Sequence, residues 1–299
     1  MSTELSKAYD PSSVEPTAYQ TWLDENAFTA NPAILLDMLI PKALTIAGSD
    51  SGGGAGIQAD LKTFSAFRVF GMSVITAVTA QNSAGVQGVE NLPPPFVARQ
   101  LRSVLEDFGT DAAKCGMLST APIIDAVAAV LGERPVEKLV IDPVMVAKSG
   151  DALLEPDARA ALADHILPRA LLVTPNLFEA EVLAGMRVTE PEEMEEAARR
   201  IHGMGPRYVL IKGGHLKGDA TDLLWNGREF TRFTAARVDS TNTHGTGCTF
   251  SAAITAGLAR GQALGDAIRS AKAYVTRAIR EGFKGGRGVG QLRHFIPDW

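Results

Sequence analysis

One stretch near the carboxyl end of the chain combines residue types that bind an anion. It reads Asn242-Thr243-His244-Gly245-Thr246-Gly247-Cys248, and the small residues that follow predict a helix to about Arg260. The glycines permit a sharp turn and a close approach of the backbone to a ligand, and the first amides of a helix lack intrahelical partners. Because the helix dipole adds partial positive charge there, the stretch predicts a phosphate site.

Cys248 lies in the first turn of that predicted helix. A thiol at a helix N-terminus can have a lowered pKa, which suits a proton acceptor or a hydrogen-bond partner beside a phosphate. A plain loop before a helix, with a small buried cysteine, explains the same residues without any chemistry. The residues alone leave both interpretations open.

A second glycine-rich turn follows the apolar run of residues 43–47. It spans residues 48–56 and reads GSDSGGGAG. It is not the phosphate loop GxxxxGK[ST], since the chain contains no Gly-Lys pair, and its spacing does not match GxGxxG. A ligand can still approach its backbone. Asp60 is expected in the first turn of the helix that follows, where the helix dipole alone also favours an acidic residue.

Polar residues stand at the ends of several other apolar runs, as ligand-side residues of parallel strands do. Gln81 follows a strand predicted over residues 73–79, Asp142 follows residues 138–141, and Lys212 precedes two glycines. An amide can donate and accept hydrogen bonds to a heteroaromatic ring, and a lysine can meet a phosphate. A generic loop glutamine and a solvated lysine are the plainer alternatives.

Two further segments have possible roles near phosphates. Asn176 and Glu179 have the spacing of a capping box, which explains them structurally, although a carboxylate near phosphates can also hold magnesium through water. Lys148 belongs to the polar segment of residues 148–151, which is long enough to move as a flap.

Alternating strand and helix patterns from Lys42 onward predict the elements that position these residues. The prediction is an α/β fold in which a mostly parallel sheet carries helices on both faces. A glycine- and proline-rich loop is expected from residue 83 to Pro95, and Asn226-Gly227 predicts a hairpin. Residues 1–41 are expected to form a helical or partly disordered N-terminal extension, and residues 42–299 a single domain without internal repeats.

The composition of the chain argues against several classes of function and partner. The 299 residues are 45% hydrophobic with a net charge of −5, and no basic arm is present, which argues against nucleic acid as a partner. The two cysteines are far apart and the histidines scattered, so neither a disulfide framework nor a structural metal is expected, and a cytoplasmic location fits. Neither a membrane span nor a secretory signal is predicted.

Taken in order, these segments resemble the hydroxymethylpyrimidine and phosphomethylpyrimidine kinases of thiamine biosynthesis, which belong to the ribokinase-like superfamily. The resemblance extends from Lys42 nearly to the end of the chain. It rests on residues 43–50, 53–64, 73–82, 116–118, 142–150, 174–179, 212–215 and 242–248. It implies a ribokinase-like three-layer αβα sandwich with a mostly parallel central sheet, a homodimer, ATP as phosphoryl donor and Mg²⁺.

The resemblance also implies roles for individual residues. The catalytic residue would be Cys248, with an anion hole formed by Gly245, Thr246 and Gly247. The aminopyrimidine pocket would comprise Gln81, Asp60, Gly48, Ala55, Met117 and Val144. The ATP site would comprise Lys212, Gly213, Thr174 and Thr246. The acidic residues that organise magnesium would be Asp142 and Glu179.

Two phosphorylations at one site are implied: the hydroxymethyl group is phosphorylated first, and the resulting monophosphate then becomes the diphosphate. We expect Lys148 to help hold the added dianion. The nearest alternative is a pyridoxal or pyridoxine kinase of vitamin B6 salvage, but Ala80-Gln81-Asn82, Lys212 and Thr246 favour the pyrimidine kinase. A non-catalytic pyrimidine or nucleotide sensor is disfavoured because the phosphate-side residues are present.

Overall fold

The structure, a computed structural model, describes residues 20–21, 40–145, 153–214, 218–297 and 299. The predicted flap with Lys148 lies outside the described residues, as does most of the predicted N-terminal extension. Pro41–Trp299 forms one compact unit. The division of the chain at residue 42 stays a prediction.

The described strands, in chain order, are β1 (Lys42–Ala47), β2 (Phe70–Ile75), β3 (Ala77–Asn82), β4 (Gly85–Asn91), β5 (Ala112–Cys115), β6 (Leu139–Ile141), β7 (Leu172–Val173), β8 (Tyr208–Ile211), β9 (Ala220–Trp225) and β10 (Phe230–Ala235). The main sheet has the order β10-β9-β8-β7-β6-β5-β1-β2. Neighbouring strands from β2 to β8 in this order pair in parallel. Strand β9 pairs antiparallel with β8 on one side and with β10 on the other. The predicted hairpin about Asn226-Gly227 is confirmed as the β9–β10 connection.

The described α-helices are α1 (Gly56–Ala66), α2 (Pro94–Asp107), α3 (Ala121–Glu133), α4 (Pro156–Ala161), α5 (Leu177–Ala184), α6 (Pro191–His202), α7 (Thr246–Ala259) and α8 (Leu264–Arg280). After α4 the chain continues through a π-helical turn, Leu162–Ile166, and a 3₁₀ turn, Leu167–Arg169. Helix α7 carries small residues on several sides, and nearly all of it is buried.

Side-chain alternation along the strands separates two apolar cores. In β1, Leu44 and Ile46 pack with α2 to α6, whereas Ala43 faces the core that contains α1, α7 and α8. Val140 and Leu210 likewise point to the second core while their neighbours point to the first. Helices therefore cover both faces of the sheet, and the predicted three-layer αβα sandwich is confirmed.

The sequence prediction was wrong after β2. The chain leaves the main sheet at Thr76, whose amide donates to the Ala47 carbonyl (3.0 Å) and whose hydroxyl donates to the Met117 carbonyl (2.7 Å). Residues 77–82 form β3, which pairs with β4 in a separate hairpin. Strand β4 was expected to be loop because it is largely exposed and its glycines and polar residues lack a buried alternating face.

Candidate active site

The loops at the carboxyl ends of the parallel strands open into a cavity of about 760 Å³. Because these strand ends meet at one edge of the sheet, distant sequence segments come together there. Most of the predicted site residues line it: Gly48, Ala55, Gln81, Met117, Asp142, Val144, Glu179, Lys212, Gly245, Thr246, Gly247 and Cys248. The predicted site residues Asp60, Gly213 and Thr174 are not among the lining residues.

The start of α7 has the geometry of the predicted anion loop. Gly245 is the N-cap and has a left-handed φ of 76°, which favours glycine. Any side chain there would also collide with the Gly54 carbonyl. The Thr246 hydroxyl donates to the Thr243 carbonyl (2.8 Å), which fixes the turn. The first turn of α7 lines the cavity, and its first amides have no intrahelical acceptors.

A cluster of three ionisable side chains lies beside that loop. Lys212 Nζ lies 2.8 Å from Asp142 Oδ1 and 3.9 Å from Glu179 Oε2. A Cβ added to Gly247 would lie 3.5 Å from Lys212 Nζ and 3.7 Å from Asp142 Oδ2. The missing side chain at Gly247 therefore keeps open the space between the helix start and these charges.

Burial and charge set the protonation of this cluster. Burial raises the pKa of Asp142, but Lys212 and Lys114 outweigh it and hold that pKa below its usual value. Burial, together with the charge of Asp142, raises the pKa of Glu179 to about 7 despite the nearby Lys212. The pKa of Lys212 is raised, because its two acidic neighbours outweigh burial. The cluster therefore holds Lys212 as an ammonium.

The Cys248 thiol does not have the lowered pKa that a helix start can give. Burial raises its pKa to about 11, and the opposing effects of the Lys114 charge and of a hydrogen bond from the Gly56 amide are smaller. Cys248 is therefore a protonated thiol near neutral pH. Of the two interpretations left open by the sequence, the small buried cysteine fits this pKa better, because burying a thiolate is costly.

Asp60 sits behind the cavity wall in the second turn of α1. Its carboxylate accepts from Lys114 Nζ at 2.7 and 2.9 Å and from the Thr45 hydroxyl at 2.6 Å. Both charged side chains of the pair are fully buried. Burial alone would lower the pKa of Lys114, but the Asp60 carboxylate and other negative groups raise it, so the ammonium persists. Direct contact of Asp60 with substrate stays a prediction.

Lys114 was missed by the sequence analysis, although it lines the cavity and Asp60 does not. It is the third residue of β5, whose four residues are all buried. A lysine inside such an apolar strand is rarely fully buried unless it is paired with an acid. That rule could have identified Lys114, but not its partner 54 positions away.

A second missed pair links two loops of the site. His244 Nε2 lies 2.8 Å from Asp50 Oδ2. The Asp50 carboxylate also accepts from three amides of its own glycine-rich loop, those of Gly52 (2.8 Å), Gly54 (3.1 Å) and Ala55 (2.8 Å). Burial would raise the pKa of Asp50, but the His244 contact and these amides lower it.

The predicted pyrimidine pocket is formed where this loop meets the β3–β4 hairpin. Gly48 packs so closely on Met117 that an added Cβ would lie 2.8 Å from the methionine Cε. The Gln81 amide group accepts from the Thr79 hydroxyl (3.2 Å), and its backbone amide donates to the Ser51 hydroxyl (2.8 Å). The Gln81 side chain therefore has further donors and acceptors on the cavity wall.

The other end of the cavity is formed by α8 and the segment after β10. Its lining residues include Ala236, Val238, Val275, Thr276 and Ile279, together with the ion pair Lys272–Asp222 at 2.6 Å. The Gly213 amide donates to Asp222 (3.1 Å). A Cβ added to Gly213 would collide with the Thr221 carbonyl, so packing requires this glycine.

Thr174, also predicted for the ATP site, is buried, and its hydroxyl lies 3.4 Å from Asp142 Oδ1. Direct ATP contacts of Gly213 and Thr174 stay predictions.

A family model described as phosphomethylpyrimidine kinase matches residues 50–293. The chain belongs to the phosphomethylpyrimidine kinase family. The hydroxymethylpyrimidine/phosphomethylpyrimidine kinase of Streptomyces coelicolor is 52% identical over 254 residues, which cover 85% of this chain and 94% of that protein. This membership confirms the family resemblance and identifies the chain as a kinase.

Two further proteins are similar to this member of the phosphomethylpyrimidine kinase family. The thiamine biosynthesis bifunctional protein of Geobacter sulfurreducens is 52% identical over 254 residues, covering 85% of this chain but only 52% of that protein, so the chain spans about half its length. Pyridoxal kinase of Bacillus subtilis, solved as an ADP complex, superposes with a TM-score of 0.80 at 44% identity, covering 85% of this chain and 97% of that one.

Two further observations concern membrane spans and metal sites in the described residues. No described helix is long and apolar enough to cross a membrane. Within the described residues, no group of three or more histidine, cysteine, aspartate or glutamate side chains is placed to hold a metal ion. Asp142 and Glu179 are a pair of acidic groups beside Lys212.

Proposed function

We propose that this kinase transfers the γ-phosphoryl group of ATP to 4-amino-5-hydroxymethyl-2-methylpyrimidine, and then transfers a second one to the resulting monophosphate, supplying thiamine biosynthesis. The observation that carries the proposal is the continuity of one cavity. It extends from Gln81 and Met117, past Lys212 and the anion loop, to the α8 end beside Lys272. Acceptor, transferring phosphoryl group and nucleotide therefore have room within one cavity.

The anion loop and Lys212 supply the charge stabilisation. Phosphoryl transfer passes through a loose transition state, so catalysis depends mainly on positioning and on neutralising oxygen charge. The first-turn amides of α7, from Gly247 and Cys248, offer fixed donors, and Lys212 offers a cation held at 2.8 Å from Asp142. We assign the phosphoryl group in transfer to the space between them, which a side chain at Gly247 would fill.

Cys248 serves as a contact to the accepting oxygen in this proposal. With a pKa of about 11, its thiol is a hydrogen-bond donor or acceptor near neutral pH and a poor resident base. A loose transition state needs little general base, because the attacking oxygen bonds late. Cys248 therefore positions the acceptor and keeps its proton.

Asp142 and Glu179 fit the magnesium role. Both present buried carboxylates on the cavity wall, and carboxylate oxygen is the ligand type that Mg²⁺ prefers. When bound, Mg²⁺ would neutralise charge on the phosphates. The two carboxylates would hold it with phosphate oxygens and water, while Lys212 offsets the remaining negative charge.

Pyridoxal phosphorylation is a second candidate, because a pyridoxal kinase shares the fold with a TM-score of 0.80. We propose it as a side activity. Two expectations from the family stay proposals as well: a homodimer and a cytoplasmic location. The role of Lys148 in the second phosphorylation also stays a proposal.

The test compares two substrates in two proteins. Purified wild type and Gln81→Ala are incubated with Mg-ATP and either hydroxymethylpyrimidine or pyridoxal, and products are followed by mass. We expect monophosphate and then diphosphate from the pyrimidine, and at least a tenfold loss of kcat/KM with Gln81→Ala. Turnover of pyridoxal alone by the wild type would contradict the proposal and favour the vitamin B6 alternative.

A further inference from the structure

After α8 the chain forms a closed loop that contacts two sides of the site. At its ends, the Phe283 amide donates to the Gln291 carbonyl (3.0 Å) and the Gln291 amide donates to the Phe283 carbonyl (2.8 Å). We call residues 283–291, all of which the structure describes, the C-terminal strap. None of them lines the cavity. Any effect of the strap on the reaction therefore acts through the residues that it holds.

The strap holds the tip of the β3–β4 hairpin. The Gly288 amide donates to the Ser83 hydroxyl (3.1 Å), and the Val289 amide donates to the Ser83 carbonyl (2.9 Å). Ser83 directly follows β3 and lies two residues after Gln81, which lines the cavity. The strap is thus fastened to the strand that carries the proposed pyrimidine contact.

The next strap residue holds the segment that leads into the anion loop. The Gly290 amide donates to the Thr241 carbonyl (3.2 Å), and the Gly290 carbonyl accepts from the His244 amide (3.1 Å). His244 directly precedes Gly245, the N-cap of α7. Three consecutive residues of the strap, 288–290, therefore connect the hairpin tip to the anion loop.

Two strap glycines permit these contacts. Neither Gly288 nor Gly290 has a left-handed φ, so backbone conformation does not require glycine there. A Cβ added to Gly288 would collide with the Ser83 carbonyl, and one added to Gly290 would collide with the Asn242 side chain. Glycine at both positions therefore serves the close approach of the strap to the two segments that it joins.

The hairpin needs such support. Strands β3 and β4 form a two-stranded sheet apart from the main sheet, and β4 is largely exposed. A two-stranded hairpin on its own is marginally stable in water. The glycine-rich loop after β1 holds β3 at the Thr79 hydroxyl, which donates to the Ser49 carbonyl (2.8 Å), and at the Gln81 amide. The strap adds the hold at the tip.

We propose that the C-terminal strap positions the acceptor pocket against the anion loop, so that the accepting oxygen lies at a fixed distance from the phosphoryl group in transfer. Ser83, Gly288 and Gly290 are positioning residues that act through Gln81 and the anion loop. This inference rests on the proposed function. Disturbing the hairpin side of the strap should weaken acceptor binding, whereas disturbing the anion-loop side should slow the transfer.

Gly288→Ala tests the hairpin side, because its methyl group forces the strap away from Ser83. We expect the KM for hydroxymethylpyrimidine to rise about tenfold, while the KM for ATP stays within about twofold. The control is Gly265→Ala at the start of α8, where an added Cβ would lie 3.6 Å or more from the Arg269 side chain. This control should retain wild-type kinetics.

Gly290→Ala tests the anion-loop side, because its methyl group displaces Asn242, two residues before His244. Misalignment of the anion loop should lower kcat about tenfold, with the KM for hydroxymethylpyrimidine within about threefold. The two glycine variants should thus differ in which constant changes. The same rise of KM and the same fall of kcat in both would indicate general loosening of the fold and overturn the inference.

Ser83→Ala covers the case in which the glycine variants do not fold. It removes the hydroxyl that accepts from the Gly288 amide and adds no bulk. Loss of this one hydrogen bond should raise the KM for hydroxymethylpyrimidine about threefold. Ser65→Ala is its control, since the Ser65 hydroxyl donates to the Leu61 carbonyl within α1. A wild-type KM in Ser83→Ala would overturn the inference.

Hydrogen–deuterium exchange without any substrate gives a readout that needs no turnover. Amides of residues 77–91 should exchange about fivefold faster in Gly288→Ala than in the wild type, and at the wild-type rate in Gly265→Ala. Unchanged exchange in Gly288→Ala would show that the strap does not hold the hairpin. If exchange rises as expected but the wild type does not phosphorylate the pyrimidine, the proposed function fails instead, which separates the two failures.

Discussion

His244 Nε2 and Asp50 Oδ2, 194 positions apart in the chain, lie 2.8 Å from each other. Asp50 belongs to the glycine-rich loop after β1, and His244 directly precedes the anion loop of α7. The contact is reinforced by close backbone packing, since a side chain at Gly245 would meet the Gly54 carbonyl. The proposed pyrimidine side and the proposed phosphate side of the cavity are thereby held in one fixed arrangement.

Replacing Asp50 by asparagine should loosen this arrangement. The amide group has one acceptor oxygen where the carboxylate accepts from His244 and three backbone amides. We expect a loss of about 1–3 kcal/mol in the free energy of unfolding and about a tenfold fall in kcat. Urea unfolding and steady-state kinetics measure the two effects.

The matched control is Asp266→Asn, which removes an exposed i,i+3 ion pair with Arg269 on α8. Exposed pairs contribute little, so stability and kcat should change hardly at all. Equal behaviour of Asp50→Asn and Asp266→Asn would show that the buried contact does not matter.

Glu179 should make the fold less stable as pH rises. Its pKa is raised from 4.5 to about 7 in the folded state, so between these values the folded protein binds a proton that the unfolded chain has lost. Stability must therefore fall as pH increases from about 4.5 to 7, by about 3 kcal/mol at most from this group. Glu179→Gln removes the titration and can still accept from the Asn176 amide.

Urea unfolding from pH 4.5 to 8, without nucleotide or metal, measures this difference. Compared with the wild type, Glu179→Gln should gain relative stability as pH rises to 7 and then level off. A constant difference between the two proteins across this range would contradict the assigned protonation.

The Cys248 thiol should react slowly. A pKa of about 11 leaves very little thiolate at pH 7.5, so alkylation by iodoacetamide should be at least tenfold slower than for an ordinary free thiol of pKa about 8.5. The rate should keep rising to pH 10. Cys115 does not interfere, because burial raises its pKa to about 12. Mass spectrometry of peptides locates the label, and rapid labelling of Cys248 at pH 7 would contradict this account.

Loss of Lys212 should impair the transfer more than binding. Lys212→Met removes the cation beside Asp142 and Glu179, and we expect kcat to fall at least 100-fold for both phosphorylations, with the KM for the pyrimidine within about threefold. The control is Lys42→Met. Lys42 is the first residue of β1, at the end of that strand that points away from the cavity, so this variant should retain wild-type kinetics. A larger effect on KM than on kcat would assign Lys212 to ground-state binding instead.

Much of the fold could be predicted because local patterns decide it. Strands with buried alternating faces, the Asn226-Gly227 turn and the small-residue helix after Gly245 all have short-range signals. The β3–β4 hairpin has none, because β4 is exposed and rich in glycine and polar residues. The chain departs from the main sheet at Thr76 through hydrogen bonds to Ala47 and Met117, which no local pattern reveals.

Site residues divide in the same way. Residues at strand ends and helix starts, such as Lys212 and Gly245, can be located from sequence because their place in an element already suggests contact with a ligand. Lys114 and His244 depend on partners 54 and 194 positions away. The pKa of Cys248 depends on burial, which only the assembled fold provides.

In the proposed function, one cavity performs both phosphorylations. The most direct measurement is the inhibition of the second step, from monophosphate to diphosphate, by hydroxymethylpyrimidine at saturating Mg-ATP. A shared acceptor pocket predicts competitive inhibition, with an inhibition constant equal to the KM of hydroxymethylpyrimidine as a substrate. Noncompetitive inhibition, or none at concentrations well above that KM, would show separate acceptor sites, and the proposed single cavity would then be wrong.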